Sequence, residues 1–421
     1  MRQISARRPE FAYNGDMSAT EEVVSIAPGT AQWDQLLSGI ASGAKDRDLN
    51  DENPFDQVAQ LKQAGFGKLR LPRELGGAGL TVPQLFSAVI DVARADPIVA
   101  HIFRTHFWFV EERLRTVDDA GSRAWLGKVA DGKIFGNAFS EKGSAAVGSL
   151  VFNTRLLPDP AGGFRLDGEK FYSTGTLFSD FLTVTATTDH DSVATIVVPA
   201  DRAGVRLVDD WDGFGQRRTG TGTTTFSSVE VATDEVLSDT SYDAAPVPTV
   251  QYSALQLFIH AVVAGILANV VDEGVALLRS RDRSFSHAPT ERPTDDPLLQ
   301  RQLGELASTA YIARAAVLDA ATAIEEATAS ADAAGVPDAK LTTDAQLKVA
   351  KVKVHLDVVA PEAATRLLEL GGASAASRQK NLDRHWRNIR TITLHNPVAY
   401  KAKVIGQHLL HDTPIPANAY F

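Results

Sequence analysis

The chain has 421 residues, 44% hydrophobic and 22% charged, with 42 basic and 52 acidic side chains and a formal net charge of -10. That is the balance of a globular protein with ample material for a core, and the negative charge argues against nucleic acid or an anionic membrane as a partner. The sequence contains no cysteine, which excludes disulfides, thiolate nucleophiles, Cys-ligated zinc and iron–sulfur clusters; redox chemistry has to come from an organic cofactor or an N/O-ligated metal.

Residues 1–16 scatter charges through a stretch with no apolar centre, which is not the pattern of a signal peptide. Met17 is an alternative natural start, and 1–29 are expected to be a disordered tail. No apolar run is read as reaching the roughly 20 residues of a membrane span, and the chain is expected in the cytoplasm. From 30 to 133 apolar residues recur at helical spacing, as in Val82-Pro83-Gln84-Leu85-Phe86-Ser87-Ala88-Val89-Ile90. Asp96-Pro97 is an N-cap followed by proline in the first turn, and it predicts one new helix running through Ile102 to Leu114.

From 134 to 240 the pattern changes to alternation. Phe181-Leu182-Thr183-Val184-Thr185-Ala186-Thr187 and Ala194-Thr195-Ile196-Val197-Val198 are rich in β-branched residues and predict strands. Ala161-Gly162-Gly163 and Asp167-Gly168 predict hairpin turns on either side of Phe164-Arg165-Leu166. The spacing of turns predicts an all-β barrel or sandwich. A proline-bearing stretch over 238–248 is expected to link it to a third zone, 241–421, where Ala-rich segments over 315–334 and 343–370 suit long packed helices and Gly371-Gly372 a helix stop. The order is helices, β-domain, helices, an α+β architecture.

Three motifs give that order a family resemblance. Leu71-Pro72-Arg73-Glu74-Leu75-Gly76-Gly77-Ala78-Gly79-Leu80 resembles a glycine turn of the acyl-CoA dehydrogenase superfamily. Phe164-Arg165-Leu166-Asp167-Gly168-Glu169-Lys170-Phe171-Tyr172-Ser173-Thr174-Gly175 resembles its strand pair, and Phe226-Ser227-Ser228-Val229-Glu230-Val231 the segment that closes its β-domain. The resemblance implies that superfamily's fold: an N-terminal helical domain, a middle β-barrel or sandwich, and a C-terminal helical bundle. Leu382-Asp383-Arg384-His385-Trp386-Arg387-Asn388-Ile389-Arg390-Thr391 with Leu394-His395-Asn396-Pro397 is similar to the two-component flavin monooxygenases of this fold, the dibenzothiophene monooxygenase group among them. Where the dehydrogenases usually carry a catalytic glutamate, no acid stands between Thr391 and Asn396, and a dehydrogenase needs a carboxylate base beside its flavin.

The monooxygenase resemblance implies reduced FMN, supplied by a separate NAD(P)H:flavin reductase, with FAD as the alternative. It implies O₂, one oxygen atom delivered through a flavin C4a-hydroperoxide to an aromatic or sulfur-heterocyclic small molecule, and a homotetramer. By the same resemblance His395 is the candidate acid/base near the flavin. Its ordinary pKa near 6.5 suits that role, although a histidine before Pro397 also fits a plain turn. His101 and Thr105, four apart on the expected helix, are candidates to line the substrate site; Thr105 stands where the relatives have tyrosine. A partly buried structural histidine is the blander reading of His101. Asn137, Ser173 and Thr174 are candidate contacts to the flavin or its oxygen adduct, against a turn asparagine and hydroxyls placed by β-propensity.

Arg279 and Arg283 are candidate phosphate ligands because arginine suits forked contacts to phosphate, with a solvated basic face as the alternative. Ser374 is the candidate at the turn over 371–374, where relatives often have an arginine that serves a neighbouring subunit's flavin. Competing readings are N-hydroxylation of an amine or amino sugar, an FAD-dependent acyl-CoA dehydrogenase with a relocated base, and an inactive scaffold that binds no flavin.

Overall fold

The computed structural model describes residues 26–143, 150–190, 192–243 and 249–416. Met17 and nearly all of the expected tail lie outside the described residues. Thr30 opens α1 (Ala31–Ser42) by accepting a hydrogen bond from the Trp33 amide. α2 (Ala44–Asn50) and α3 (Phe55–Gln63) follow. In the turn over 71–80 a Cβ on Gly77 would lie 2.2 Å from the Leu71 carbonyl oxygen, so this close approach requires glycine. Thr81 and Gln84 then form a capping box at the start of α4 (Val82–Ala95).

Asp96 caps α5 (Pro97–Ile102) by accepting from the Ile98 amide, as its sequence predicts. The expected single helix is, however, two. The Phe103 amide bonds back to the Ala100 and His101 carbonyls, tightening the last turn, and α6 (Arg104–Leu114) begins after it. The break lets Phe103 and Phe107 both meet the Phe66 ring edge-on. α7 (Ala120–Ala130) completes the N-terminal zone.

The middle zone holds β1 (Phe135–Ala138), β2 (Arg155–Pro158), β3 (Phe164–Lys170), β4 (Phe181–Thr187), β5 (Ser192–Pro199), β6 (Val205–Val208), β7 (Thr223–Val231) and β8 (Val236–Ser241). They form one mixed sheet in the order β6-β7-β3-β2-β4-β5-β8, with β1 parallel to β4. Leu166, Phe226 and Val229 from one half share a core with Leu182, Val184 and Ile196 from the other, so the sheet wraps around its own apolar face. Two expectations change here. Asp167-Gly168 is not a turn: β3 runs through it with a bulge, where a Cβ on Gly168 would sit 2.5 Å from Thr154 Oγ1. Residues 238–241 are strand rather than linker, because β8 pairs with β5 along the edge.

The third zone is α8 (Gln251–Arg279), α9 (Pro297–Ala329), α10 (Ala339–Gly371), α11 (Asp383–Thr393) and α12 (Val398–His411). α9 stops at Ala329, short of the expected 334. α8 packs against α4, α9 and α10. At its crossing with α4, a Cβ on Gly265 would be 2.4 Å from Ala93 Cβ, which is how the two axes come so close. By length and composition α8 could cross a membrane, contrary to the sequence reading; 72% of its most apolar window is buried inside the fold. Gln256, His260 and Asn269 interrupt the run in the sequence, yet the first two are buried as well.

Candidate active site

The end of α5, the loop between β6 and β7, and the segment around α11 converge on one polar cluster. Its first member is His101, 9% exposed, whose Nδ1 lies 2.8 Å from Gln216 Oε1. With that oxygen accepting, the imidazole proton sits on Nδ1 and Nε2 keeps its lone pair. Burial, then the nearby Arg104 charge, push the His101 pKa down to about 4, against the Gln216 hydrogen bond. The ring is therefore neutral at pH 7.

Gln216 owes its position to a glycine-dense loop, Gly213-Phe214-Gly215-Gln216-Arg217-Arg218-Thr219-Gly220-Thr221-Gly222. Gly215 lies against α11 so closely that a Cβ would be 2.1 Å from the Arg387 carbonyl oxygen. The next residue, Gln216, is held at φ 51° and donates its amide to Asn388 Oδ1 at 2.7 Å. A left-handed glutamine costs about 1 kcal/mol or more and persists only because both ends are tied.

Hydroxyls carry the network onward from Gln216. Thr219 Oγ1 donates to the Gln216 carbonyl at 2.9 Å, Thr221 Oγ1 lies 2.7 Å from Thr219 Oγ1, and Thr174 Oγ1 lies 2.7 Å from Thr221 Oγ1. The turn bearing Thr174 is anchored by Ser173 and Gly175, whose amides donate to the Gly222 and Thr219 carbonyls. Gly175, at φ 84°, approaches α5 so that a Cβ would lie 2.6 Å from the Ile102 carbonyl oxygen. The structure thus brings together His101, Ser173 and Thr174, which the sequence names from distant places. Asn137 is half-buried on β1, beside Gly136, whose Cβ would touch Thr176 of the same turn. Thr105 turns toward β1 instead, its hydroxyl 3.5 Å from the Phe135 carbonyl oxygen. His106 is structural: it bonds to the Gly67 carbonyl and accepts from the Phe135 amide.

His395 follows α11, its amide donating to the Ile392 carbonyl. The residue is exposed, although protein atoms crowd around its ring. Its Nε2 is 3.5 Å from Arg104 Nη1. Desolvation first, then Arg104 and Lys353, lower its pKa below the usual histidine range, with His101 and His260 acting in the same direction. Behind it Asn396 donates to Gln256 Oε1, and the buried Lys353 is paired with Asp357 at 2.8 Å.

Arg279, Arg283 and Ser374 lie elsewhere. Arg279 ends α8 and is exposed; Arg283 is in the following loop rather than one turn further along the helix. Ser374 is exposed just past α10, where Arg281 Nη1 bonds to the Leu370 carbonyl at 2.6 Å and so joins the two helix ends. His260, which acts on His395, and Arg279 are nineteen residues apart on α8, roughly 28 Å along its axis.

Sequence reading missed Gln216, Asn388, Arg104 and the Thr219–Thr221 relay. The available signal was the glycine density over 213–222, which is far higher than a hairpin between strands requires.

Residues 37–133 match the acyl-CoA dehydrogenase N-terminal domain and 257–400 the acyl-CoA dehydrogenase C-terminal domain. The chain is 30% identical over 422 residues to a dibenzothiophene monooxygenase of Rhodococcus erythropolis, spanning 95% of this chain and 96% of that one. It is 28% identical to a probable FMNH2-dependent monooxygenase, SfnC, of Pseudomonas putida, spanning 94% and 97%. The FMN-bound crystal structure of TdsC from Paenibacillus sp. A11-2 superposes with a TM-score of 0.83 at 28% identity, covering 92% of this chain and 98% of that one. The chain belongs to the acyl-CoA dehydrogenase family and, within it, to the monooxygenase group that includes the dibenzothiophene monooxygenases.

Proposed function

We propose that this chain is the oxygenase of a two-component system, using reduced FMN and O₂ to oxidise an aromatic or sulfur-containing small molecule. The observation that carries this reading is the character of the site. The ionisable groups acting on His395 are bases, and both His395 and His101 are held neutral. A dehydrogenase requires a carboxylate base here. The same positive surroundings disfavour a cationic amine as substrate.

The residues present fit a flavin. His101 Nε2, Gln216 Nε2 and Ser173 Oγ are buried with no partner among the described residues, and a ring edged with nitrogen and oxygen atoms would satisfy them. Bound reduced FMN supplies the electrons that activate O₂. His101, Ser173, Thr174 and Asn137 would hold the ring, and Gln216 fixes the tautomer that His101 presents. His395 Nε2, neutral beside Arg104, would accept or return a proton as oxygen is transferred.

Arg279 at the end of α8, with Arg283 in the loop after it and Ser374 just past α10, is too far from His395 to serve the same FMN, so a second copy would have to bring its own. This supports a homotetramer, as do Val358, Leu409 and Leu410, apolar side chains exposed on α10 and α12. Reduced flavin would come from an NAD(P)H-dependent reductase, which makes the cytoplasm the compartment this reading requires.

The test is to mix the protein anaerobically with reduced FMN, admit oxygen, and follow absorbance. A transient near roughly 370–390 nm, distinct from both free reduced and free oxidised flavin, is expected for flavin-driven oxygen chemistry. Reoxidation at the rate of free FMN would sink the monooxygenase reading, and failure to bind either redox form would favour a scaffold.

A further inference from the structure

Asp48 of α2 stands outside the polar cluster, yet the segments that carry Gln216 and Asn388 both end on it. Its Oδ2 accepts from Arg387 Nη2 and from Asn381 Nδ2, each at 2.8 Å. Asn381 lies just before α11, and Arg387 is the residue before Asn388. Arg217, the residue after Gln216, donates from Nη2 to the Asp48 carbonyl at 2.5 Å, and the same nitrogen is 3.6 Å from Asp48 Oδ2. These arginines come from 339 and 169 residues away along the chain. A short helix of the N-terminal zone thus gathers a loop of the β-domain and a helix of the C-terminal zone.

The junction has little slack. The Asp48 side chain is 6% exposed. Arg387 spends its other donors on the same place: Nη1 on the Phe214 carbonyl at 3.3 Å, Nη2 also on Asn381 Oδ1 at 2.8 Å, and Nε on Asp383 at 2.8 Å. Asn381 is held left-handed at φ 50° while its side-chain amide reaches both Asp48 and the Lys45 carbonyl. Burial alone would raise the Asp48 pKa, but hydrogen bonds from Arg387 and Asn381 and the charges of Arg387 and Arg217 hold it below the usual carboxylate range. It is therefore the negative charge between two guanidiniums that bracket Gln216, one at the next residue and one through the Phe214 carbonyl. Removing one partner from such a buried set leaves uncompensated charge, which costs far more than an exposed pair contributes. Arg217 and Arg218 also meet Asp51, at 2.8 and 3.7 Å, but that carboxylate is 43% exposed.

We propose that Asp48 is a positioning residue for the flavin site: it clamps the β6–β7 loop against α11, and so keeps the Gln216 amide on Asn388 and the Gln216 side chain on His101. Asp48 acts only through Gln216 and touches no reacting group. What Gln216 does depends on the register between loop and helix, and the close approach of Gly215 and the left-handed Gln216 leave little room to adjust it. The proposal deepens the monooxygenase reading and rests on it for the effect on oxygen chemistry; the clamp itself stands without it.

The test starts with peptide-resolved hydrogen exchange of the full chain without flavin. Asp48→Asn is expected to speed exchange over 213–222 and the start of α11 at least about tenfold while β4 stays unchanged. Asp51→Asn should leave all three at wild-type rates. Arg387→Gln opens the clamp from its other side and should reproduce the loosening, so the test survives an Asp48→Asn chain that folds poorly. The second part follows the absorbance transient near roughly 370–390 nm after reduced FMN meets O₂. Its lifetime should fall about tenfold in Asp48→Asn, the size of one lost hydrogen bond. Gln216→Met should shorten it at least as much, and the double variant no further than Gln216→Met alone. Unchanged exchange over 213–222 in Asp48→Asn and Arg387→Gln overturns the proposal, and so do losses that multiply in the double variant. A wild type that gives no transient removes the monooxygenase reading instead, and exchange still decides the clamp.

Discussion

Two corners of the molecule hold the residues expected to meet a flavin, and they are built differently. Around His101 every element is tied to another: α5 to Thr174 through Gly175, Thr174 to Gln216 through two threonines, and Gln216 to α11 through Asn388. Around Arg279 the side chains stand in solvent, and what is ordered is the backbone beneath them, where Arg281 holds the end of α10. The first corner is organised before any ligand arrives. The second offers charge without a fixed geometry, so its contribution should be to affinity rather than to the chemical step.

Substitutions can break that contrast. His395→Ala carries the largest expected effect, a fall of about 10²- to 10⁴-fold in oxygenated product, as for loss of a general acid–base. Reduced flavin should still be consumed, with hydrogen peroxide appearing instead, which chromatography and a peroxide assay would show. Gln216→Met should follow with about a 10- to 100-fold loss. It strips His101 of its acceptor, and about 1–2 kcal/mol of stability should go with it because the buried donor is left unpaired. The pH profile of turnover should shift with it, which a defect in folding alone would not produce.

Arg279→Ala should weaken FMN binding about tenfold and leave the urea midpoint unchanged. A drop in stability there would mean that this corner is as organised as the first.

Acid should destabilise the fold through its buried histidines. His101 and His106 are both pushed down to about 4, each by burial first. Between the ordinary value near 6.5 and 4 the unfolded chain binds more protons than the folded one, so stability falls as the pH drops through that window. The loss is on the order of 3 kcal/mol for each histidine. Urea titrations at pH 7 and 4.5 measure it, and a flat profile would contradict the burial of both rings.

The elements of the fold were largely legible because their signals are local. Asp96-Pro97 states its own cap, and the alternation over 181–187 states its strand. The break at Phe103 was not, since helical spacing continues across it and the reason lies in Phe66, far back in the chain. His101, Thr174 and His395 could be named from resemblance, but Gln216 could not. Its role depends on a left-handed backbone that only contact with α11 maintains, and no periodicity reports such a contact. Arg104 went unremarked for a similar reason. On a helical wheel it is one more polar residue, and its meaning comes from Leu255 and His395, which meet it from far along the chain.

The row of threonines has a polarity that its distances alone do not state. Thr219 spends its one proton on the Gln216 carbonyl, so Thr221 must give its own to Thr219, and Thr174 must give its own to Thr221. Thr174 is left with lone pairs only, and whatever meets it from the cleft has to bring a hydrogen. A flavin carries one at N5 when reduced and none there when oxidised, so with Thr174 against a bound flavin's N5, as proposed above, a hydroxyl two links away would help set which form the site prefers. Thr219→Val would release that constraint, and the ratio of the two affinities, read by titration in each redox state, should narrow by about two- to fivefold, a modest hydrogen-bond effect.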